Sequence, residues 1–303
     1  MGTWQRTDRG GHGWPGHLER HVPDKLIINF TPTGMIPTRE MTPHVPVTPA
    51  EIIRDVLEAR HYGVSIAHIH ARDETGLPTY RGEVYEEIIS GIRAVDRALV
   101  ITVSTSGRNW SDLEKRAECL MIDGGNKPDM ASLTLSSLNF NNQASINTPQ
   151  MIQALAGRML ERGIKPELEA FDLGMINYAK YLIRKNLLAA PHYFNLILGN
   201  IACAQATALN LGLMLNELPP VSVWAAGGVG DAQLRMNLIA MMSGGGVRVG
   251  LEDTIWLTPK RDRLATNLDL VRRIHSLACA AGIEVATPEE VRGWLRLPQT
   301  SGA

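Results

Sequence analysis

The chain has 303 residues, of which 44% are hydrophobic and 20% are charged, and its formal net charge is −1 at pH 7. This composition is typical of a globular protein, and the near-neutral charge argues against nucleic acid or a membrane surface as a partner. No apolar run approaches the ~20 residues that a helix needs to cross a bilayer. The three cysteines, Cys119, Cys203 and Cys279, are scattered along the chain, which predicts reduced thiols in a cytoplasmic protein.

Residues 1–24 differ in composition from the rest of the chain. They are rich in Gly, Pro, Arg and His and lack the apolar segment of a secretory signal. We interpret them as an extended arm in front of a single catalytic domain at 25–303, because no linker or charge block divides the remainder. Metal binding by His12, His17 and His21 of this arm is a minor alternative.

Eight β-rich segments alternate with amphipathic helical segments along that domain. The predicted strands are 25–31, 65–72, 99–105, 129–135, 165–171, 192–198, 221–227 and 246–252. Two of the helices, 48–63 and 148–163, begin with Thr-Pro and end at Gly, and the first also has the capping-box glutamate Glu51. The other helices are predicted at 83–95, 111–121, 174–186, 206–218, 231–243 and 267–282, with a final short helix at 287–296.

Strands that each precede a helix, at intervals of roughly 30 residues, are typical of an α/β protein with a (β/α)₈ TIM barrel. The alternative is a doubly wound open sheet. In a barrel the active site lies at the carboxyl ends of the strands, so the residues at those ends become the candidate site residues.

Chemistry-bearing side chains follow several of the predicted strands. His68 and His70 share one face of the second strand, because alternate residues of a strand point the same way. The eighth strand ends in Glu252, and in a closed barrel the second and eighth strands both neighbour the first. Two imidazoles and a carboxylate with an open position are typical of catalytic zinc, although Fe(II) or Mn(II) accept the same ligands. The competing interpretation is that both histidines are satisfied core groups and Glu252 pairs with Arg248.

Other polar segments remain open to two interpretations. The glycine-rich stretches "AAGGVGD" and "SGGGVRVG" are either phosphate-binding loops or tight turns. The loop "SSLNFNNQASIN" after the fourth strand is either a lid or an oligomer contact.

The segments "TPTGMIPT", "HIHARDETGLPTY", "VSTSGR", "LTLSSLNF", "GIKPELEAFDLGMI" and "GGGVRVGLEDTIW" resemble the β-keto acid cleavage enzymes. The resemblance runs from about Lys25 to Trp294. It implies a zinc-dependent (β/α)₈ barrel, a homotetramer, that uses acetyl-CoA as co-substrate. The β-keto acid is converted to a new acyl-CoA, and acetoacetate is the other product.

The resemblance also implies roles for particular residues. One zinc per chain would be held by His68, His70 and Glu252. Asp253 would be the catalytic base, with Arg248 and Glu169 fixing and tuning it. Ser104 and Gly107 would hold the keto acid, and Ser132 stands where the family has Thr. From their positions, Ile36 and Arg108 are added as candidate substrate-binding residues. Arg248 is expected to keep Asp253 ionised, because a nearby cation lowers the pKa of a carboxyl group.

One position departs from the family pattern. Where the aminohexanoate-cleaving members have an acid that receives the substrate amine, this chain has Ile36. We therefore expect a keto acid with a neutral or apolar tail, or a dicarboxylic one if Arg108 turns inward. The competing functions are a metal-dependent hydrolase of the amidohydrolase kind, which also uses His-x-His on a barrel strand, and a non-enzymatic barrel that binds metal or acyl-CoA.

Overall fold

A computed structural model describes residues 25–299, and within them eight parallel strands close into a barrel. The strands are β1 (Ile28–Phe30), β2 (Ile66–Ile69), β3 (Val100–Val103), β4 (Met130–Thr134), β5 (Lys165–Ala170), β6 (His192–Leu198), β7 (Ser222–Gly228) and β8 (Gly246–Val249). Each strand pairs with the next along the chain, and β8 pairs with β1. The predicted (β/α)₈ barrel is confirmed, and the open sheet is wrong.

Helices cover the outside of this barrel. They are α1 (Pro49–Arg60), α2 (Gly82–Arg93), α3 (Leu113–Ala117), α4 (Pro149–Arg162), α5 (Leu173–Arg184), α6 (Ala208–Glu217), α7 (Gln233–Met242), α8 (Asn267–Ala280) and α9 (Pro288–Leu295). The helix predicted at 111–121 is divided into α3 and a 3₁₀ helix, Glu118–Met121. The loop after β4 contains a short hairpin, in which Leu138–Asn139 pairs with Ala144–Ser145.

The helix starts and ends follow the signals in the sequence. Thr48 accepts a hydrogen bond from the Glu51 backbone N–H, and the Glu51 carboxylate accepts one from the Thr48 N–H, which forms the predicted capping box. Thr148 caps α4, and Gly163 ends it in the left-handed conformation. These side chains satisfy backbone groups that a helix terminus leaves without partners.

The last helix closes the amino end of the barrel. Val291 and Leu295 of α9 pack against apolar side chains at the starts of the strands, including Ile66 and Val100. Arg292 is almost fully buried, and its two terminal nitrogens each donate to Asp129 at 2.8 Å. With this end filled by side chains, ligands reach the barrel from the carboxyl ends of the strands.

Six of the eight strands end earlier than predicted at the carboxyl side. β8 stops at Val249, because Gly250 has a φ of +156° and lies so close to Thr31 that a side chain would overlap it. The chain turns there, so Glu252, the predicted last residue of this strand, lies in the turn that follows it, together with Asp253. Both carboxylates contact Arg248 of β8.

Several other predictions are settled by position. The "SGGG" part of the second glycine-rich stretch leads into β8, whose first residue is Gly246, at the amino end of the barrel, so it is not part of a site at the carboxyl end. The three cysteines are free. Within residues 25–299, no helix combines the length and apolar character needed to span a bilayer. The arm at 1–24 lies outside the described residues.

Candidate active site

A buried glutamate fixes the orientation of His68. The carboxylate of Glu167 on β5 accepts a hydrogen bond from His68 Nδ1 at 2.5 Å and others from the side-chain amides of Asn29 and Asn195 at 2.5 and 3.0 Å. Since an ionised carboxylate only accepts, Nδ1 of His68 carries a hydrogen, and the neutral form of this imidazole would offer its Nε2 lone pair to a ligand. A carboxylate behind a ligating histidine is the usual way in which proteins orient a metal ligand.

Three potential ligand atoms converge in front of this network. His68 Nε2 lies 3.3 Å from His70 Nε2, and His70 Nε2 lies 3.3 Å from Glu252 Oε1. The ligand atoms of these three residues all lie within 4.8 Å of one another. The second oxygen of Glu252 is buried and has no hydrogen-bond partner among the described residues. Two imidazole nitrogens and a carboxylate with one unpaired oxygen fit a divalent ion such as zinc.

The electrostatics of the cluster favour a cation at this point. Burial disfavours a charged His68, but Glu167 and Glu252 outweigh burial and raise the pKa of His68 to about 9. Burial lowers the pKa of His70, which therefore favours the neutral imidazole. Burial alone would raise the pKa of Glu252, yet Arg248 and the histidines hold it well below its ordinary value. The negative charges that favour a proton on His68 would therefore also attract a metal cation.

Arg248 is shared by three carboxylates. Its Nε lies 2.8 Å from Asp253, its Nη2 lies 2.6 Å from Glu252, and its Nη1 lies 3.8 Å from Glu169. The ion pair between Arg248 and Glu252 that the competing interpretation predicted is therefore present, beside the histidines rather than in place of them. Glu169 also accepts a hydrogen bond from Thr134 Oγ1 at 2.7 Å.

Asp253 differs in one respect from the prediction. Arg248 does lower its pKa, but burial and the neighbouring Glu252 act more strongly, and the net shift is upward. Burial likewise raises the pKa of Glu169. A carboxylate with a raised pKa binds a proton more readily, which suits a general base.

These groups face a cavity of about 360 Å³ at the carboxyl end of the barrel. Of the predicted site residues, those that line it are Ile36, His70, Ser104, Arg108, Ser132, Glu169, Arg248, Glu252 and Asp253. Gly107 lies behind this wall, where a side chain would come within 2.6 Å of Arg116 Nη1 and 2.5 Å of the Ile146 carbonyl oxygen. Residues that sequence reasoning did not assign also line the cavity, among them Met41, Phe140, Asn200 and Trp256.

Gly34 lets the loop after β1 pass directly beside Glu252. Its φ is +68°, and a Cβ there would lie 2.8 Å from the Glu252 Cβ. We expect Gly34→Ala to displace Glu252 and to weaken metal binding about 10- to 100-fold, the range found when a residue supporting a metal ligand is changed. The measurement is zinc affinity by competition with a chromogenic chelator.

Gly76→Ala is the matched control for that variant. Gly76 also has a positive φ, +84°, but the nearest atom to its added Cβ, on Val47, is 3.9 Å away. Both variants carry the same kind of backbone strain, about 1–2 kcal/mol. Equal zinc affinities in the two variants would contradict the assignment of Glu252 as a ligand.

Comparisons with known proteins place the whole described domain in one family. Residues 25–297 match the model of the beta-keto acid cleavage enzyme family. The chain is 36% identical to the 3-keto-5-aminohexanoate cleavage enzyme of Fusobacterium nucleatum, over 90% of this chain and 98% of that protein. It is 31% identical to the 3-oxoadipate:acetyl-CoA acetyltransferase of Cupriavidus necator, over 90% and 95%.

Solved structures support the same fold. The apo structure of ObcA superposes with a TM-score of 0.75 at 19% identity, over 84% of this chain and 66% of that one. Combined with the family match, these relatives identify the kind of enzyme. The chain belongs to the beta-keto acid cleavage enzymes, and it is an acyl-transferring enzyme that cleaves a carbon–carbon bond of a β-keto acid.

Proposed function

We propose that this protein is a zinc-dependent enzyme that converts a β-keto acid and acetyl-CoA to acetoacetate and a new acyl-CoA, acting as a homotetramer. The observation that carries the proposal is a shared cavity: His70, Glu252 and Asp253 line it, and the ligand atoms of His68, His70 and Glu252 lie within 4.8 Å of one another. An ion-binding cluster beside a buried base is what carbon–carbon exchange between two carbonyl compounds requires.

The reaction balances with one base and no added oxidant or reductant. Asp253 takes a proton from C2 of the keto acid, and the resulting carbanion forms a bond with the acetyl carbon, which expels the CoA thiolate. The thiolate then attacks the original keto carbon and breaks its bond to C2. Asp253 returns the proton to C2, which yields acetoacetate and the new acyl-CoA. When bound, the metal ion would polarise the keto and carboxylate oxygens as a Lewis acid.

Four side chains support these steps without reacting. Arg248 holds Asp253 through two hydrogen bonds, at 2.8 and 3.2 Å, and so fixes the direction in which its carboxylate faces. Glu169 shares Arg248 and so sets how strongly the arginine binds Asp253. Ser104 and Ser132 present hydroxyl groups to the cavity, where they can bind the keto acid.

The hydrolase alternative finds less support. Enzymes of the amidohydrolase kind add further histidines from later strands to the His-x-His pair. In residues 25–299, the clusters that could hold a metal contain no histidine other than His68 and His70. The family match also argues against this alternative.

Around Ile36, where the proposal places the tail of the substrate, none of the residues that line the cavity is acidic. Ile36 is 44% exposed and lines the cavity together with the apolar Met35, Pro37 and Met41. The acids among the lining residues are Glu169, Glu252 and Asp253, all of which belong to the cluster around Arg248. Glu40, the acid nearest to Ile36, is not among the lining residues. A substrate ammonium would therefore enter without a carboxylate partner, which costs several kcal/mol in a dry pocket.

The test is a panel of β-keto acids with acetyl-CoA, in which the acyl-CoA formed is read by mass spectrometry. We expect a six-carbon keto acid with an uncharged tail to have a kcat/KM about 100-fold higher than that of 5-amino-3-ketohexanoate. Ile36→Glu should narrow this ratio by about tenfold, because it supplies a carboxylate to the amine.

Ile36→Gln is the matched control, since it has the size and polarity of glutamate without the charge. A wild type that uses the amino substrate best would show that Ile36 does not determine specificity. The absence of acyl-CoA from every keto acid would instead contradict the proposed function.

A further inference from the structure

The guanidinium of Arg108 faces the cavity without a polar partner. It lies 3.8 Å from the centre of the Phe140 ring, stacked on its face. Among residues 25–299, its side chain makes no hydrogen bond and no ion pair. A guanidinium has five N–H donors arranged to bind a planar anion. In Arg108 these donors are available to a ligand.

The surrounding loops hold Arg108 in this position. Gln143 of the hairpin donates to the Arg108 carbonyl at 3.1 Å, and Ser106 accepts from the Arg108 backbone N–H at 3.3 Å. Phe140 packs edge to face against Phe171, with the ring centres 5.9 Å apart. The ring beneath the guanidinium is therefore itself supported, and the cation need not search for its position when a ligand arrives.

The other arginines of the cavity already have acidic partners. Arg248 binds Asp253 and Glu252, and Arg261 binds Asp231 through two contacts, at 3.1 and 3.2 Å. Arg108 is partly buried, and burial lowers its pKa, although the more distant Glu252, Glu169 and Asp253 act in the opposite direction. An anion at this point would replace the missing solvation with charge-assisted hydrogen bonds.

We propose that Arg108 binds a second carboxylate at the far end of the substrate, so that the protein acts on dicarboxylic β-keto acids. This inference rests on the proposed function, and it replaces the neutral tail predicted from Ile36. The two residues agree in one respect: Ile36 provides no acid for an amine, and Arg108 provides a cation for an acid. In this arrangement the carboxylate next to the reacting carbons would be bound near the metal-binding cluster, and Arg108, which lines the same cavity, would receive the second carboxylate.

The experiment uses three six-carbon 3-oxo acids that differ only at the sixth carbon, which is a carboxylate, a carboxamide or a methyl group. Binding is measured by calorimetry without acetyl-CoA, and kcat/KM is measured from the acyl-CoA formed. We expect the carboxylate compound to bind about 10- to 100-fold more tightly than the carboxamide, the range for a hydrogen-bonded charge pair. Arg108→Met, which keeps an apolar chain over Phe140, should abolish that difference. Arg108→Lys should retain part of it.

Arg97→Met is the control, because Arg97 is exposed and precedes β3 at the opposite end of the barrel. Equal binding of carboxylate and carboxamide by the wild type would overturn the inference. So would a loss in Arg108→Met that is the same for all three acids, or one confined to the KM for acetyl-CoA, since these would place Arg108 at the common carboxylate or at CoA. The calorimetric result tests the inference even if no acyl-CoA forms. The absence of acyl-CoA would contradict the proposed function but not the binding of a second carboxylate by Arg108.

Discussion

His68→Ala should release the metal ion and abolish turnover while the barrel remains folded. The wild type should carry one divalent ion per chain, most of it zinc, measured by elemental analysis of the purified protein. Removing the imidazole takes away one of the three proposed ligands, and the remaining two should hold the ion poorly. It also deprives the buried Glu167 of one hydrogen bond, so we expect a loss of about 1–3 kcal/mol in the free energy of unfolding.

His70→Ala separates these two effects. His70 makes no contact with Glu167, and its Nδ1 has no hydrogen-bond partner among the described residues. This variant should lose the metal with a smaller loss of stability. His61→Ala is the control, because His61 is exposed at the end of α1. A wild type without stoichiometric metal, or a full complement of zinc in both site variants, would show that the ion is absent or lies elsewhere, for example on the histidines of the arm.

Asp253→Asn should lower kcat by roughly 10²- to 10⁴-fold, the range typical of removing a general base. Asparagine keeps the shape of the side chain and can still contact Arg248, but it cannot take up the C2 proton. Zinc content and the affinity for the keto acid should change little, because the three ligands are intact. Single-turnover kinetics and calorimetry measure the two quantities separately.

Asp123→Asn is the matched control, because Asp123 is exposed and pairs with Arg162 on the outside of the barrel. Near-normal turnover by Asp253→Asn would remove Asp253 from the mechanism. In that case Glu169, whose pKa is also raised by burial, becomes the candidate base.

The fold could be predicted because its signals are local. The Thr-Pro starts of α1 and α4 and the alternation of apolar strands with amphipathic helices are each visible within a few residues, and eight repeats of the same unit close into a barrel. The strand ends were predicted less well. A glycine is required at 250 because a Cβ there would overlap Thr31, which follows β1 and is distant in the sequence, and no local pattern shows that contact.

The candidate site could be predicted only where charge or imidazole marked it. His68, His70 and Glu252 were grouped by strand order alone, and the structure brings them together, although their roles remain predictions. Asn29 and Asn195 were missed, because neutral amides in a strand carry no pattern until the register shows that both reach Glu167. Glu167 itself had a signal, since an acid on a buried strand needs partners.

The side chains proposed to take part in the reaction and those proposed to face the tail of the substrate lie on different parts of the chain. The former stand on β2, β5 and β8 or directly after them, whereas the tail-facing residues belong to the loop at 33–41, the turn that carries Arg108 and the hairpin after β4. Exposed side chains of these loops, such as Ile36, can change at little cost in stability, so the substrate can change while the chemistry stays fixed. Two relatives are named for keto acids whose far ends carry opposite charges, an amine and a carboxylate. We expect such reversals to have arisen through a few loop substitutions rather than through any change at the strand ends.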